Sequence, residues 1–406
     1  MSDLPPSPWS IPAFRRWLVV RASTAGATQI VGTAVGWQVY DLTGDPLDLG
    51  FVGLSVFIPT LLLWPLTGLA ADRFPRRDVV RGSLAIVCLG TLGLLAVARA
   101  GASGAGPIFA LMALMSVGRV FGAPAGQSLV AGLVPTATLG AALSLTSAVF
   151  QAASLLGPAL AGLLIAVAGL PACYAVSSAL LVLALGLTWG LPPCRGGGAR
   201  RGWADVVEGL RFLRGQPVLL SAITLDLFVV LLGGATALLP VYAADVLAVG
   251  PEGLGLLRAA PAVGAVLMAL WLARRPPRRR VGRTLLAAVA VFGLATLGFG
   301  LSTTLLPALA FLGVLGAADE VSVMLRQTLI QVQTPDALRG RIAAVNSVFV
   351  GISNEIGELE SGLLAAAVGP VRAVVLGGLG SLAVVAGFWA WARPLREVDT
   401  LEPPAD

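Results

Sequence analysis

Charged residues that interrupt long apolar stretches are the groups in this chain best placed to do chemistry. A charged side chain inside a bilayer is costly, so each one marks a candidate ion path, proton relay or fixed ion pair. The chain contains no His, so proton transfer would fall to carboxylates with Arg as their partner. The candidates are Arg119, Asp226, Asp319, Glu320, Arg326, Glu355, Glu358 and Glu360.

Depth within the apolar stretches distinguishes these candidates. At the helical rise of 1.5 Å per residue, Asp226 lies about 12 Å and Asp319 about 10 Å from the arginine-flanked ends of their stretches. Asp319 and Glu320 point about 100° apart on a helix, so we expect one of them to face a cavity and favour Asp319. Arg119 falls near the middle of its stretch, where it can balance a carboxylate or bind an anionic substrate. Each of these residues can instead belong to a fixed ion pair that sets helix register.

Two further groups of polar residues have helical spacing. Glu355 and Glu358 are three apart and share a helix face, which favours proton uptake, although solvated surface charge explains them equally well. Gln29 and Thr33 are four apart in the first apolar stretch, and Gln151 lies in the fifth. We expect these three uncharged residues to line a polar cavity.

The elements that position these residues are predicted to be membrane-spanning helices. The chain is 57% apolar and only 12% charged, whereas soluble domains carry about 25% charged residues. Each span needs about 20 apolar residues. The sequence therefore predicts an all-α integral membrane protein with twelve spans at 17–40, 49–71, 79–99, 107–132, 139–168, 171–191, 218–244, 253–273, 284–302, 305–332, 341–367 and 370–392.

The longest polar stretch divides these spans into two sets of six. Residues 192–217 form a predicted linker in which apolar residues recur at helical spacing, and this pattern indicates a short amphipathic helix on the inner membrane surface. Residues 1–191 and 218–406 then form two six-helix bundles, the second with a short tail. The equal division indicates an internal duplication.

The basic residues set the orientation. All 27 are Arg, and most flank the even-numbered connections and the two termini, which the positive-inside rule places in the cytoplasm. We therefore expect a multi-pass protein of the bacterial inner membrane with both termini cytoplasmic. This placement accounts for the high isoelectric point without nucleic-acid binding. The absence of His and of a paired Cys motif argues against a metal centre. The sequence also shows no nucleophile paired with a general base, so we do not expect an enzyme.

The sharpest motif lies at the end of the second predicted span. Gly allows close helix approach, and a carboxylate followed by arginines can form a charge cluster that latches one conformation. The residues are Gly68, Asp72, Arg73, Arg76 and Arg77. This loop resembles the G-x-x-x-D-R-x-G-R-R signature of the major facilitator superfamily, with Pro75 where Gly is usual. The resemblance covers the whole chain.

A second motif refines the resemblance. Gly157, Pro158 and Gly162 in the fifth span resemble the span-five motif of drug/proton antiporters, which marks exporters; a tightly packed Gly/Pro-rich helix is the alternative interpretation. Arg119, followed by Gly122, resembles the span-four Arg motif of that family, which is implicated in proton handling. The segments 205–217, 334–345 and 40–44 are similar to the branch that holds the bacterial enterobactin exporter, with macrolide efflux proteins nearby.

The resemblance implies a transport mechanism. In this superfamily spans 1, 4, 7 and 10 line a central cavity, so Asp226 and Asp319 are expected at one level of it. The expected activity is proton-coupled export of a siderophore, such as a catecholate, or another amphipathic compound by a monomer. The proton gradient supplies the energy and no cofactor is expected. A multidrug or macrolide efflux pump and a non-transporting receptor of the same fold are the alternatives.

Overall fold

The computed structural model describes residues 8–101, 104–193, 203–277, 279–335 and 338–400. Within these residues every regular element is a helix, so the prediction of an all-helical chain is confirmed for this part. The chain folds into two compact units. The first unit comprises Met1–Gly44 and Ser55–Arg200, and the second comprises Asp45–Leu54 and Arg201–Asp406.

The first unit is built from six long helices, the second of which also contributes its first turns to the second unit. These are α1 (Pro12–Thr43), α2 (Pro46–Arg73), α3 (Arg76–Ala100), α4 (Gly106–Leu133), α5 (Leu139–Ala168) and α6 (Leu170–Thr188). Short connections with Gly or Pro separate them, because neither residue favours continuing a helix.

The second unit contains the remaining helices. They are α7 (Trp203–Arg214), α8 (Pro217–Leu232), α9 (Leu239–Val241), α10 (Gly250–Arg274), α11 (Val281–Gly300), α12 (Leu305–Gln333), α13 (Arg339–Val368), α14 (Pro370–Trp391) and α15 (Arg393–Arg396). The arginines at the end of α10 and the starts of α11 and α13 lie at one end of this unit, which we call its arginine-rich end.

The two units repeat one packing scheme. In the first, α1 packs against α5 and α6, and α3 packs against α4 and α6. In the second, α8 packs against α13 and α14, and α11 packs against α12 and α14. The connection after the fifth long helix is also repeated: Gly169 and Gly369 both have positive φ, of 76° and 90°. Glycine adopts this conformation without steric cost, which allows the immediate start of the next helix.

Ten helical segments of the described chain are long and apolar enough to cross a membrane. The two further predicted spans correspond to α1 and α13, which have 32 and 30 residues. At 1.5 Å per residue each is more than about 40 Å long, which exceeds the hydrocarbon thickness of a bilayer.

The predicted seventh span departs from a continuous helix. Helix α8 ends at Leu232 and is followed by a 3-10 turn at Ala235–Leu238, the short α9 and a π-helical turn at Tyr242–Val246. Gly233 and Gly234 lie at the break, where a side chain would contact Phe292 and Ser361 respectively. Hydropathy alone does not reveal this break, because the residues on both sides of it are apolar.

The amphipathic helix predicted in the linker is present as α7. It packs against α13 and α8, with Leu213 fully buried. Glu208 of α7 accepts a hydrogen bond from Arg341 of α13 at 2.8 Å. At Gly209 a Cβ atom would lie 2.8 Å from Val345 and 3.1 Å from the carbonyl oxygen of Arg341. Contacts with α8 and α13 therefore hold α7 in place, in addition to the burial of its apolar side chains.

Candidate functional site

A buried ion pair joins α8 to α12 in the second unit. Arg326 contacts the carboxylate of Asp226, and the two side chains are only 4% and 9% exposed. Breaking such a pair leaves an uncompensated charge in an apolar interior, so both partners are needed together. Asp226, which the sequence placed at one level with Asp319, is thus held by Arg326.

Asp319 instead lines a separate cavity of about 310 Å³ within the second unit. The same cavity is lined by Glu358 and Asn354 of α13 and by Gly233 and Gly234 at the end of α8. We call it the carboxylate cavity. The break in α8 therefore borders two carboxylates from different helices, and discontinuous helices border ion sites in many transporters.

The two carboxylates of this cavity differ in their partners. Glu358 interacts electrostatically with Arg258 of α10. No residue in the described part of the chain forms a hydrogen bond or ion pair with Asp319. Glu320, the next residue, is also half-buried and adds like charge. An ionised carboxylate without a partner is costly in an apolar environment, so Asp319 is the group of this cavity most suited to accept a proton.

The remaining charged candidates lie outside this cavity lining. Glu355 is half-buried on α13, and Glu360 accepts a hydrogen bond from the hydroxyl of Ser361 at 3.5 Å. Arg119 lies half-buried near the middle of α4 in the first unit. It belongs to a different unit from Asp226, Asp319 and the glutamates.

The polar residues of the first unit connect α1 to α5. Gln29 donates a hydrogen bond to the hydroxyl of Ser154 at 2.8 Å. Thr33 is fully buried, and its hydroxyl donates to the carbonyl oxygen of Gln29 at 3.0 Å. The hydroxyl of Thr33 is thus used within α1. Gln151 is half-buried on α5.

The span-five motif packs directly on this polar connection. Gly157, Pro158 and Gly162 are all buried in α5. A Cβ atom at Gly157 would lie 2.5 Å from the Cβ atom of Gln29, so no side chain fits there without a shift of the two helices. The motif therefore sets the distance between α1 and α5, as small residues do at helix interfaces in membranes.

The loop between α2 and α3 binds the ends of neighbouring helices. Gly68 and Asp72 lie in the last turns of α2, but their contacts fall outside the described side chains, and Arg73 is exposed. Arg76 donates to the carbonyl oxygen of Ser128 at 2.7 Å, and Arg77 to that of Leu191 at 3.0 Å. Cationic donors near helix C-terminal carbonyls are favourable because of the helix dipole.

Sequence reasoning missed one carboxylate of this cluster. Asp78 is 3.1 Å from the guanidinium groups of both Arg77 and Arg81. Arg81 also donates to the carbonyl oxygen of Thr188 at 3.0 Å and lies over the ring of Trp189. The i to i+3 spacing of Asp78 and Arg81 on a helix was the available signal. In the described residues no cluster of three or more His, Cys, Asp or Glu side chains could hold a metal ion.

Comparisons with known proteins agree with this architecture. The sequence model of the Major Facilitator Superfamily matches residues 17–358. The multidrug efflux pump Tap of Mycolicibacterium fortuitum is 28% identical over 403 residues, covering 95% of this chain and 97% of the relative. The enterobactin exporter EntS of Shigella flexneri is 26% identical over 387 residues, covering 92% of this chain and 90% of the relative.

Solved structures show the same fold at low identity. A D-xylose-proton symporter has a TM-score of 0.70 at 15% identity, covering 94% of this chain and 98% of the symporter chain. A bacterial homologue of the iron transporter ferroportin in an inward-facing state has a TM-score of 0.73 at 19% identity, with coverage of 94% and 98%.

Proposed function

The chain belongs to the Major Facilitator Superfamily and is a membrane transporter of that fold, and we propose that it exports a small amphipathic compound in exchange for protons. The observation that carries the coupling is Asp319, a carboxylate that faces a cavity without an ionic partner in the described residues. Protonation would remove the charge of Asp319. A proton bound there shifts the equilibrium between two conformations only if its affinity for Asp319 differs between them.

The names of two relatives support the proposed direction and cargo. Tap is named a multidrug efflux pump and EntS an enterobactin exporter, so both names describe outward transport. We propose a siderophore, such as a catecholate, as the cargo. The resemblance of Gly157, Pro158 and Gly162 to the span-five antiporter motif supports export, and the close packing of Gly157 on Gln29 agrees equally with the alternative of a tightly packed helix.

A multidrug or macrolide efflux pump is the second candidate function. The similarity to Tap covers 95% of this chain and favours it directly. A deletion strain separates the two: drug hypersensitivity supports multidrug efflux, while accumulation of siderophore inside iron-starved cells supports siderophore export. Ligand binding without flux would indicate a receptor instead.

We further propose that the protein works as a monomer in the bacterial inner membrane with both termini in the cytoplasm. The support is the arginine-rich end of the second unit, where the starts of α11 and α13 lie. Under the positive-inside rule this end faces the cytoplasm. Cysteine labelling from each side of intact cells tests the orientation.

The coupling is tested in proteoliposomes that hold the purified protein. Labelled enterobactin and ethidium serve as probes of the two cargo classes, and an imposed pH gradient supplies the driving force. We expect proton-driven flux of one probe, and a loss of about tenfold or more in Asp319→Asn because the asparagine cannot release a proton. Glu360→Gln is the matched control, since Glu360 is a half-buried carboxylate bonded to Ser361. Flux that is indifferent to the gradient, or unchanged in Asp319→Asn, contradicts proton coupling at this residue.

A further inference from the structure

Residues near the end of the described chain lie against the start of α11. Residues 395–399, which we call the C-terminal strap, comprise the end of α15 and the three residues after it. Three successive backbone N–H groups donate to the strap: that of Arg280 to the Oδ1 atom of Asp399 at 3.1 Å, that of Val281 to the carbonyl oxygen of Asp399 at 3.3 Å, and that of Gly282 to the carbonyl oxygen of Val398 at 3.0 Å. The first N–H groups of a helix have no acceptor within the helix, so the strap supplies acceptors that α11 lacks.

The equivalent helix of the first unit carries its own carboxylate at this position. Helices α3 and α11 have the same place in the repeated packing scheme, since α3 packs against α4 and α6, and α11 against α12 and α14. Helix α3 has Asp78 in its first turn, whereas α11 has no acidic residue there. A negative charge near a helix N-terminus is favourable because of the helix dipole. Asp399 therefore brings to α11, from 119 residues further along the chain, the charge that Asp78 provides to α3.

The strap is firmly anchored at its first residue and lightly held at its last. Leu395 is fully buried, where α15 packs against α8 and α11. A Cβ atom at Gly282 would overlap the carbonyl oxygen of Leu395, so the strap passes directly over the start of α11. Asp399, by contrast, is exposed. Hydrogen bonds beside water contribute little net free energy because water can replace them, so the outer end of the strap can separate while Leu395 stays in place.

The backbone at this contact is strained. Arg280 has a φ of 56°, in the left-handed region that residues other than glycine seldom adopt. Such conformations persist only where neighbouring contacts hold them, and they are frequent in segments that switch between two states. The bond from the N–H group of Arg280 to Asp399 is one of those contacts. Separation of the strap would remove it and release the strain, which lowers the cost of opening.

We propose that the C-terminal strap is a reversible closure, in which residues 397–399 alternate between the bound state and an open state while α11 and Leu395 remain in place. In the bound state the strap fixes the start of α11 to α15 and thereby to α8, the helix that carries Asp226. Its role as a latch in the transport cycle rests on the proposed function. The closure itself does not, because it is measured without transport.

The experiment is hydrogen–deuterium exchange with mass spectrometry on the full chain in lipid nanodiscs. The backbone amides of Arg280, Val281 and Gly282 report on the strap, because their acceptors belong to it. We expect these amides to exchange more slowly than unprotected amides and faster than those in the middle of α11. Exchange at the unprotected rate means that the strap is not bound, and exchange only together with the middle of α11 means that it does not open separately. Either result overturns the proposal.

A matched pair of variants assigns the closure to Asp399. Asp399→Ala removes the side-chain acceptor and its charge, and should accelerate exchange of the Arg280 amide about fivefold, as loss of a helix-capping residue does. The middle of α11 should be unaffected. Glu397→Ala removes the same charge from an exposed strap residue whose side chain makes no hydrogen bond or ion pair in the described structure, and should change exchange less than about twofold. Equal acceleration in the two variants overturns the role of Asp399.

Gly282→Ala tests the contact from the side of α11. Alanine favours a helix more than glycine does, so α11 itself is not weakened. The added Cβ atom would displace the carbonyl oxygen of Leu395, and exchange of the Arg280 and Val281 amides should rise about fivefold or more. Unchanged exchange would overturn the close approach of the strap. If Gly282→Ala does not fold, Asp399→Ala decides, because Asp399 is exposed and its replacement leaves the core intact.

Transport distinguishes this inference from the proposed function. A latch can shift a conformational equilibrium only by its own free energy, so Asp399→Ala should change proton-driven flux of enterobactin by about two- to fivefold, and Glu397→Ala should not. Flux equal to the wild type in Asp399→Ala, with faster exchange, would overturn the latch and leave the exporter standing. Selective acceleration of exchange in Asp399→Ala, together with no flux in the wild type, would support the strap and overturn the exporter.

Discussion

The buried pair of Asp226 and Arg326 should show strong energetic coupling. The perturbation is Asp226→Leu, Arg326→Leu and the double variant, compared with the wild type. Each single variant leaves one charge without its partner between α8 and α12. The two side chains are only 9% and 4% exposed, so solvent screens the orphaned charge very little.

The magnitude follows from that burial. Removing one partner of a buried ion pair costs about 3–5 kcal/mol, whereas replacing both partners with apolar residues is close to neutral. The free energy of unfolding should therefore fall by about 3–5 kcal/mol in each single variant and by less than about 2 kcal/mol in the double variant. An ordinary hydrogen bond between membrane helices contributes only about 0.6 kcal/mol, so a large coupling identifies the ion pair.

The assay is unfolding of the purified protein by sodium dodecyl sulfate in mixed micelles, followed by far-UV circular dichroism. The coupling energy is obtained from the four proteins as a double-mutant cycle. If the losses in the two single variants add to within about 0.5 kcal/mol in the double variant, the residues act independently and the ion pair is refuted.

Three further predictions concern the packing and the loops. Gly157→Ala should lower the free energy of unfolding by about 1–3 kcal/mol, because the added Cβ atom meets Gln29. Gly140→Ala is the control and should not lower it, since the added atom there meets nothing within 4 Å. Equal effects of the two variants in the same titration would contradict the close approach of α1 and α5. Glu208→Gln should loosen α7 by less than about 1 kcal/mol because the carboxylate is half exposed, and trypsin cleavage near α7 should rise only slightly; a loss of the whole fold would contradict a surface contact. Arg81→Gln should lower the melting temperature more than Asp78→Asn does. Arg81 also donates a hydrogen bond to the carbonyl oxygen of Thr188, whereas the Asp78 side chain is 42% exposed. The reverse order in a thermal-shift assay would show that Asp78 contributes more to stability than Arg81.

Much of the helical framework was predictable, because each span must be apolar and the bilayer sets its length. The superfamily suggested by Gly68 to Arg77 is confirmed by the match over residues 17–358. The break after Leu232 was not predictable from hydropathy, since it results from close packing at Gly233 and Gly234 against residues distant in sequence. The composition of a local segment does not indicate which distant residues will pack against it.

The site was harder to predict than the fold. Asp319 and Glu358 were recognisable because charge in an apolar stretch is conspicuous, but their meeting at one cavity depends on how α12 and α13 pack. The pairing of Asp226 with Arg326 likewise joins residues that are far apart in the chain.

The central claim is that proton movement and cargo movement are coupled through Asp319. Because coupling between two ligands is reciprocal, a gradient of cargo alone must drive protons. In proteoliposomes loaded with the pH dye pyranine and with enterobactin, efflux of enterobactin should acidify the lumen in the wild type and not in Asp319→Asn. Enterobactin efflux that leaves the luminal pH unchanged in the wild type would contradict proton exchange.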